Sequence, residues 1–350
     1  MAGGAMSAMR VAMVGLGWTG RQVWLPRLRR QPGITVVGAV DPEPVLRATT
    51  ARGGAGVAVV AGIDELGPDA ADLAVVTVPS ARRVHVAAEI LAAGIPVFLT
   101  KPLCHNRIEA DLLAAAERAG GTVLLADNVN RHRTDVRTLH DLVGSVGTPR
   151  HIDLSWVRAR GRSASGALLD LGWHLLDAVA PVLGDATFRQ VVATVSDDFV
   201  RGGPARASWR RGGANAAVED TVRGFLVTDD GVSVALRASS ASHELNESTL
   251  IRVEGADGSV TLRCVFGVGP EPARTSTLTW THDGRSEVVD LPAAAIGEEY
   301  ERQIAALPEL LAAATPGRAV DDARRTIEVV ERLYASAGQA GVALSAAQPA

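Results

Sequence analysis

Three features that would place the chain in a specialised class are missing from its sequence. Its two cysteines, Cys104 and Cys264, lie far apart without disulfide-framework or zinc-ligand spacing, so we predict a reducing compartment and no metal site. The formal net charge of −4 provides no basic field for nucleic acid. No apolar run reaches membrane-spanning length, and residues 1–8 lack the apolar stretch of a signal peptide. We therefore expect a cytoplasmic protein that binds small molecules and copies of itself, and neither nucleic acid nor membrane.

Lysine is almost absent as well. Of the 35 residues that are lysine or arginine, only Lys101 is a lysine. A compositional bias that replaces surface lysines explains the arginines, and chance can leave one lysine behind. Arginine keeps its proton near neutral pH, however, whereas the pKa of a lysine shifts readily. The surviving lysine is therefore a candidate for chemistry that arginine does not perform.

The chain has 350 residues, 47% of them hydrophobic, and is long enough for two domains. In its first third, short apolar runs alternate with helical patterns, which predicts right-handed crossovers and a doubly wound parallel sheet. After about residue 127, short alternating strands separated by Asp-Gly turns dominate, which indicates antiparallel neighbours. We therefore predict an α/β protein with domains over residues 9–126 and 127–344.

A G-x-G-x-x-G pattern formed by Gly15, Gly17 and Gly20 follows the first predicted strand and opens a helix. In a dinucleotide-binding turn, these glycines permit the tight bend, the approach of a pyrophosphate and close helix–strand packing. An ordinary glycine loop is the alternative. Asp41 closes the second strand about 20 residues later, where an acid binds the adenosine ribose hydroxyls. Because Asp41 would repel a 2′-phosphate and Arg47 does not follow it immediately, we predict NAD, with NADP as the alternative.

Lys101 follows an apolar strand at residues 96–99. The carboxyl ends of such strands form the edge at which open α/β sheets bind their ligands. Pro102 comes next and restricts the local backbone. The alternative is a surface lysine on a loop, but position and uniqueness together favour an active-site lysine.

A second polar cluster interrupts the leucines of segment 166–177. Asp170, His174 and Asp177 stand at i, i+4 and i+7, so a helix would place them on one face. Buried acids and histidines are costly unless they are paired or exposed in a cleft. A histidine oriented by a carboxylate can move a proton between an alcohol and a carbonyl. A structural His-Asp pair is the alternative, and no further ligands converge to form a metal site.

Together these motifs resemble the Gfo/Idh/MocA family, the glucose-fructose oxidoreductase and inositol dehydrogenase group, from about residue 9 to 344. The matching segments, in order, are 15–20, Val78-Pro79-Ser80 with His85, 92–102 ending on Thr100-Lys101-Pro102, Asn130-Arg131-His132, 166–177, Val218-Glu219-Asp220-Thr221 and 253–258. The resemblance implies a Rossmann domain followed by an α+β domain with a large, mostly antiparallel open sheet. It also implies a homodimer or homotetramer formed through the face of that sheet, and a site in the cleft between the domains.

The resemblance further implies roles for single residues. Lys101 matches the lysine that contacts the nicotinamide ribose and the substrate, and His174 with Asp170 matches the catalytic proton-relay pair. Hydride would pass between the nicotinamide and a carbon bearing a hydroxyl or carbonyl, while Lys101 stabilises charge on the oxygen. The other expected cofactor contacts are Trp18, Thr19, Pro79, Ser80, His85 and Thr100. The other expected substrate contacts are Asn130, Arg131, Arg158 and Trp173.

Two departures from the family pattern bear on the substrate. Thr100 replaces the usual glutamate and so removes a carboxylate beside Lys101. A short segment before Gly166 carries Arg158, Arg160 and Arg162, which either meet an anionic substrate group or are solvated. We predict an NAD(P)-dependent dehydrogenase or reductase acting on CH–OH groups of a sugar, cyclitol or sugar-like ketone. A ketone or imine reductase of specialised metabolism and a non-catalytic dinucleotide-binding regulator are the alternatives.

Overall fold

The computed structural model describes residues 8–54, 56–67, 71–159, 166–197, 219–242, 246–266, 276–295, 297–339 and 344–345. Within these ranges the chain forms two compact units. The first contains the described residues up to Asp127 together with Tyr300–Arg324. The second contains the described residues from Asn128 to Glu299 together with those from Arg325 onward.

A six-stranded sheet forms the centre of the first unit. Its strands are β1 (Met9–Val14), β2 (Ile34–Val40), β3 (Ala58–Val60), β4 (Leu73–Val76), β5 (Val97–Leu99) and β6 (Leu124–Ala126). Their spatial order is β3-β2-β1-β4-β5-β6, and each neighbouring pair is parallel. This is the Rossmann order, in which the chain changes direction across the sheet between β1 and β4. The prediction of a doubly wound parallel sheet is confirmed.

Helices connect these strands. They are α1 (Leu25–Arg30), which follows a wide π-type turn at Thr19–Trp24, and then α2 (Pro44–Arg52), α3 (Ser80–Ala92) and α4 (Arg107–Gly120). The sequence did not predict β3, because three residues at a sheet edge, one exposed and two partly buried, give too short an apolar run. The connection between β3 and β4 contains a short 3₁₀ segment at Ile63–Leu66.

A nine-stranded sheet forms the centre of the second unit. Its strands are β7 (Pro149–Ala159), β8 (Phe188–Ser196), β9 (Thr221–Thr228), β10 (Ser233–Ser242), β11 (Ser248–Gly255), β12 (Gly258–Cys264), β13 (Thr277–His282), β14 (Arg285–Val289) and the short β15 (Leu344–Ser345). The spatial order is β14-β13-β12-β11-β7-β10-β9-β8-β15. Only β7 and β10 pair in parallel among these described strands, and the others are antiparallel. The predicted α+β unit with a large, mostly antiparallel sheet is confirmed.

Helices cover one face of this sheet. They include α5 (Thr134–Val143) and α6 (Trp173–Leu183), and the chain continues with α7 (Glu298–Ala312) and α8 (Arg318–Gly338). A Cβ on Gly224 of β9 would lie 2.7 Å from a Leu333 methyl, so the end of α8 packs tightly on the sheet. Phe225, which points to the opposite face by strand alternation, is 47% exposed. None of the helices in the described ranges is long and apolar enough to cross a membrane.

The chain returns to the first unit after forming most of the second. Tyr300 of α7 packs edge-on against the Trp24 ring at 5.7 Å between centroids, and Ile304 and Leu307 are buried in the same core. The sequence patterns predicted a second domain over residues 127–344. Residues 300–324 group with the first unit instead, because the apolar face of α7 packs beside Trp24 in the core of the first unit.

Candidate active site

The glycine turn after β1 excludes a side chain at two of its three glycines. Gly15 has a φ of +96°, which favours glycine, and a Cβ there would lie 2.8 Å from the Val78 nitrogen. A Cβ on Gly20 would lie 2.0 Å from the Gly15 oxygen, so the strand end and the helix start meet only without one. A Cβ on Gly17 would meet open space. The backbone at Gly17 therefore leaves open space beside the turn, and the predicted approach of a pyrophosphate there stays a prediction.

The residues after Gly17 are accessible. Trp18 is 66% exposed, Thr19 is exposed, and Thr19–Trp24 form the wide π-type turn. Such turns are frequent at functional sites, and the N–H groups at a helix start attract phosphates. The arrangement of residues 17–19 therefore fits the pyrophosphate of a dinucleotide.

Asp41 connects the glycine turn to the end of β2. Its Oδ2 accepts a hydrogen bond from the Leu16 N–H at 2.7 Å, and its Oδ1 accepts one from the Glu43 N–H at 2.9 Å. The Asp41 side chain is buried, at 8% exposed. Arg47 donates from Nη1 to the backbone oxygens of Asp41 and Pro42, at 2.8 Å each. Asp41 thus orders the turn in which its predicted ribose contact would form.

Two more loops lie at the carboxyl edge of the sheet, and the loop after β4 contacts the glycine turn. The Thr77 hydroxyl donates to the Gly15 oxygen at 2.9 Å, which joins the loop after β4 to the glycine turn. Thr100 follows β5, is buried, and donates from its hydroxyl to the Val76 oxygen at 3.0 Å. The Thr100 hydroxyl is therefore bonded to the neighbouring strand, and its cofactor contact stays a prediction.

Lys101 lies one residue further on and is half-buried, and the peptide that joins it to Pro102 is cis. Its backbone oxygen accepts a hydrogen bond from Arg83 Nη1 at 2.6 Å, and Arg83 Nε donates to the Val78 oxygen at 3.2 Å. Burial lowers the pKa of Arg83, and the negative charge of Asp127 opposes this shift. Arg83 was not among the predicted site residues.

The remaining predicted cofactor residues of this edge lie at the start of α3. Pro79 immediately precedes the helix and is exposed, Ser80 is its first residue and is half-buried, and His85 is exposed in the second turn. Their side chains are thus accessible beside the loop that contacts Gly15. Their cofactor contacts stay predictions.

In the second unit, Asp170 and His174 lie on either side of a change in helix type. Leu168–Gly172 form another wide π-type turn, which contains Asp170, and α6 begins at Trp173. Asp170 is half-buried, whereas His174 is 7% exposed. The sequence predicted one helix over this segment, and the structure shows that its first part is of the wide type common at functional sites.

A network of side chains surrounds this pair. Arg158 Nη1 donates to Asp170 Oδ2 at 3.1 Å, and Arg158 Nε donates to Glu247 Oε1 at 3.1 Å. The Arg158 guanidinium lies 4.7 Å from the centroid of the Trp156 ring, whose Nε1 donates to Glu247 at 2.6 Å. The Trp156 ring packs against His174 at 5.6 Å between centroids. Arg158 is therefore not a freely solvated side chain, which was one of the two expectations for it.

The other residues expected at the substrate are mostly engaged inside the second unit. Arg131 donates from Nη2 to Asp177 Oδ1 at 2.5 Å and from Nε to the Asp177 oxygen at 3.0 Å. Asn130 and Trp173 are both buried. Arg160 and Arg162 lie outside the described residues. The structure thus ties Arg131 to the helix that carries His174, and its substrate contact stays a prediction.

Glu219 holds the start of the same helical segment. Its Oε1 accepts hydrogen bonds from the Leu168 N–H at 3.0 Å and from the Tyr334 hydroxyl at 2.8 Å. A Cβ on Gly166 would lie 2.2 Å from Glu219 Oε2, so glycine allows the carboxylate to approach the backbone. Burial raises the pKa of Glu219, and the bond from Leu168 opposes the shift. Glu219 therefore fixes the turn that contains Asp170.

Comparisons with known proteins agree with this geometry. Residues 9–127 match the model of the Gfo/Idh/MocA oxidoreductase family with an NAD-binding Rossmann fold, and residues 136–261 match the model of its C-terminal domain. A provisionally named UDP-kanosamine synthase oxidoreductase subunit of Amycolatopsis mediterranei is 47% identical over 95% of this chain and 97% of its own length. The chain belongs to the Gfo/Idh/MocA family.

Solved structures share the fold of this Gfo/Idh/MocA protein. GenD2 from gentamicin A biosynthesis, in complex with NAD, is 24% identical with a TM-score of 0.73, covering 99% of each chain. KijD10, a 3-ketoreductase from Actinomadura kijaniata in complex with NADP and TDP-benzene, is 21% identical with a TM-score of 0.72, covering 94% of this chain and 97% of its own. The chain is accordingly an NAD(P)-dependent oxidoreductase with a dinucleotide-binding Rossmann domain.

Three residues that contact the predicted site residues were not singled out from the sequence, namely Arg83 in the first unit and Glu219 and Glu247 in the second. Arg83 is one of many arginines, so its identity carried no signal. Glu247 lies 91 residues from Trp156 along the chain, and no local pattern announces their bond. Glu219 stood in a recognised motif but received no role, although a glutamate beside Asp220 before a strand could have signalled a helix-capping partner. No group of three or more potential metal ligands is present in the described ranges.

Proposed function

We propose that this protein uses NAD⁺ to oxidise a secondary hydroxyl of a UDP-linked hexose to a ketone. The observation that carries the proposal is the full-length relative at 47% identity, whose name refers to a UDP-linked amino sugar. One chemical route that places an amine on a hydroxyl-bearing carbon first oxidises that carbon to a ketone. Hydride removal from a CH–OH group is chemistry for which a nicotinamide cofactor is suited.

The first unit supplies the cofactor site in this proposal. Gly17 and the start of the following helix accept the pyrophosphate, and Asp41 accepts hydrogen bonds from the adenosine ribose. The negative charge of Asp41 disfavours a 2′-phosphate, so NAD is preferred to NADP. When bound, the dinucleotide supplies the hydride acceptor.

The reacting hydroxyl needs a base and a stabilising charge. His174 receives the hydroxyl proton, and Asp170 orients its imidazole and stabilises the imidazolium that forms. The Lys101 ammonium stabilises the negative charge that develops on the oxygen. The contact of Arg158 with Asp170 holds that carboxylate in place, and the Trp156 ring limits the movement of His174.

The proposal is tested with a panel of candidate substrates, and turnover is measured as the absorbance of the NADH or NADPH formed. UDP-glucose, UDP-galactose, TDP-glucose, free glucose and myo-inositol are each offered with NAD⁺ and NADP⁺. We expect turnover with a UDP-hexose and NAD⁺, and the loss of most of it with the free sugars. Equal turnover of free glucose or inositol would show that the nucleotide is not recognised and would overturn the proposed substrate class.

The proposed residues are tested with the best substrate of that panel. Lys101→Ala and His174→Ala are each expected to lower kcat by two orders of magnitude or more, in the range observed for general acid–base and oxyanion-stabilising groups. NAD⁺ affinity, measured by calorimetry, should remain measurable in both variants. Full activity in either variant would exclude the assigned role of that residue.

We also propose that two copies associate through the open face of the nine-stranded sheet. Phe225 lies on that face and is 47% exposed, so its ring offers apolar area that a second copy would remove from water. Light scattering coupled to gel filtration measures the assembly. Phe225→Arg should shift the oligomer toward monomer, and an unchanged mass would place the interface elsewhere.

A further inference from the structure

Arg83 of α3 forms a bridge between two loops at the carboxyl edge of the parallel sheet. Its Nε donates to the backbone oxygen of Val78, the second residue of the loop after β4. Its Nη1 donates to the backbone oxygen of Lys101 at 2.6 Å and to that of Pro102 at 3.2 Å. One guanidinium therefore ties the backbone beside the glycine turn to the backbone of the only lysine.

The bridge occupies a place where regular backbone pairing stops. The Thr100 N–H donates to the Val76 oxygen of β4 at 3.2 Å. This backbone hydrogen bond comes directly after β5, where its pairing with β4 ends. Pro102, two residues later, has no N–H to donate. The orientation of the two peptide groups that flank Pro102, the first of which begins at the Lys101 carbonyl, thus depends strongly on the side chain that binds their oxygens.

Arginine is suited to this role because its guanidinium is planar and presents several donors in a fixed fork. Hydrogen bonds from a charged donor are also stronger than those between neutral groups. The partial burial of Arg83 reduces competition from water for these bonds, and Asp127 provides a negative charge nearby. A lysine at this position would supply a point charge without the fork.

We propose that Arg83 is the positioning residue that fixes Lys101 for catalysis. Arg83 binds the backbone oxygens of both Lys101 and Val78. It thereby holds the backbone that carries the Lys101 ammonium at a constant position relative to the loop after β4. In this role Arg83 acts through the backbone of Lys101 and not on the reacting atoms. The inference rests on the role of Lys101 in the proposed function.

A spectroscopic test uses the uniqueness of Lys101. Protein labelled with ¹³C,¹⁵N-lysine yields one set of lysine side-chain resonances, which report on Lys101 alone. In the native protein, we expect these resonances to move when NAD⁺ is added. In Arg83→Ala they should lie near the positions of an unrestrained lysine and respond little to NAD⁺, while calorimetry shows that NAD⁺ still binds.

Arg82→Ala is the matched control, because the neighbouring Arg82 is exposed on the same helix. Its lysine resonances should coincide with those of the native protein. If Arg83→Ala also retains the native resonances and the native response to NAD⁺, the proposal is wrong. If Arg83→Ala does not fold by circular dichroism, Arg83→Gln, which keeps one side-chain N–H₂ donor, takes its place in the same comparison.

A kinetic test separates positioning from a general structural role. Arg83→Ala should lower kcat by about ten- to a hundredfold, the range expected when a reacting group is displaced by about an ångström. The double variant Arg83→Ala/Lys101→Ala should be no slower than Lys101→Ala alone, since both changes remove the same function. Added methylguanidinium should restore part of kcat to Arg83→Ala and none to Lys101→Ala.

The outcomes distinguish this inference from the proposed function. Full activity in Lys101→Ala would overturn the role of Lys101, and the inference with it. Loss of activity in Lys101→Ala but not in Arg83→Ala would overturn the inference alone. An equal further loss when Arg83→Ala is added to Lys101→Ala would show that Arg83 acts independently of Lys101 and would also overturn it.

Discussion

Arg158 and Asp170 form an ion pair in which Nη1 lies 3.1 Å from Oδ2, with side chains that are 25% and 23% exposed. A pair this accessible to water contributes little to stability. Its geometry is nevertheless well defined, because Glu247 binds the same guanidinium at Nε and Trp156 stacks against it. In the proposed mechanism, the role of this pair is therefore to orient the Asp170 carboxylate rather than to stabilise the fold.

The first prediction concerns Arg158→Leu. Removing a hydrogen bond to a charged group costs about 1.5–3 kcal/mol, or roughly ten- to a hundredfold in kcat/KM. We expect that loss with the best UDP-sugar, and no change in NAD⁺ affinity measured by calorimetry. Arg252→Leu removes a more exposed arginine of the same sheet, paired with Glu254, and serves as the control. Equal kcat/KM in the Arg158 and Arg252 variants would contradict an orienting role.

The second prediction concerns the pH dependence of stability at Glu219. Burial raises its pKa above the ordinary value of 4.5, so the folded chain binds this proton more tightly than the unfolded chain does. Its contribution to stability is therefore fully present below that value and is lost as the pH rises through the raised pKa. The glutamine of Glu219→Gln cannot titrate and lacks this dependence.

Urea unfolding from pH 4 to 8 measures this effect, with tryptophan fluorescence as the signal. The free energy of unfolding of the native protein, relative to that of Glu219→Gln, should decrease as the pH rises. Tyr334→Phe removes one hydrogen-bond donor but keeps the titrating carboxylate, so it should retain the native direction of the slope. A difference between native protein and Glu219→Gln that is independent of pH would contradict the prediction.

The parts of the fold that could be predicted are those that depend on residues close together in the sequence. The glycine turn, the strand that precedes it and the acid after β2 are each visible within a few residues, and so is the alternation of the second sheet. Residues 300–324 could not be assigned to a domain from the sequence. An amphipathic pattern indicates that one face of a helix is buried, but it does not indicate which core that face packs against. The burial of Ile304 and Leu307 beside Trp24 is a contact across most of the chain.

The same limit applies to the site. Asp170 and His174 were visible because polar residues among leucines are costly, whereas Arg83 and Arg158 are two of many arginines. Their significance depends on which backbone oxygen or carboxylate they reach, and a single sequence does not record that. The wide turn at Leu168–Gly172 was hidden for a related reason, since one additional residue per turn hardly changes a leucine-rich pattern.

The third prediction separates two glycines of the same turn. A methyl group on Gly20 would lie 2.0 Å from the Gly15 oxygen, so Gly20→Ala must displace backbone and should lower the melting temperature by several degrees. A methyl group on Gly17 meets open space, so Gly17→Ala should keep the native melting temperature without cofactor. Its NAD⁺ affinity should fall at least tenfold, because the methyl group occupies the place of the phosphate. Calorimetry and thermal unfolding of both variants test this, and native NAD⁺ affinity in Gly17→Ala would place the pyrophosphate elsewhere.

The last prediction concerns the choice between the two dinucleotides. At an effective dielectric constant of about 20, like charges some 5 Å apart repel by about 3 kcal/mol, enough for more than a tenfold preference. Asp41→Asn removes the charge but keeps an oxygen for the N–H of Leu16 or Glu43, so the ratio of kcat/KM for NAD⁺ to that for NADP⁺ should fall at least tenfold. Glu43→Gln removes an exposed charge two residues away and should leave the ratio unchanged. If both variants keep the native ratio, the discrimination does not come from Asp41, and Arg47, whose guanidinium holds the same loop, becomes the residue to vary.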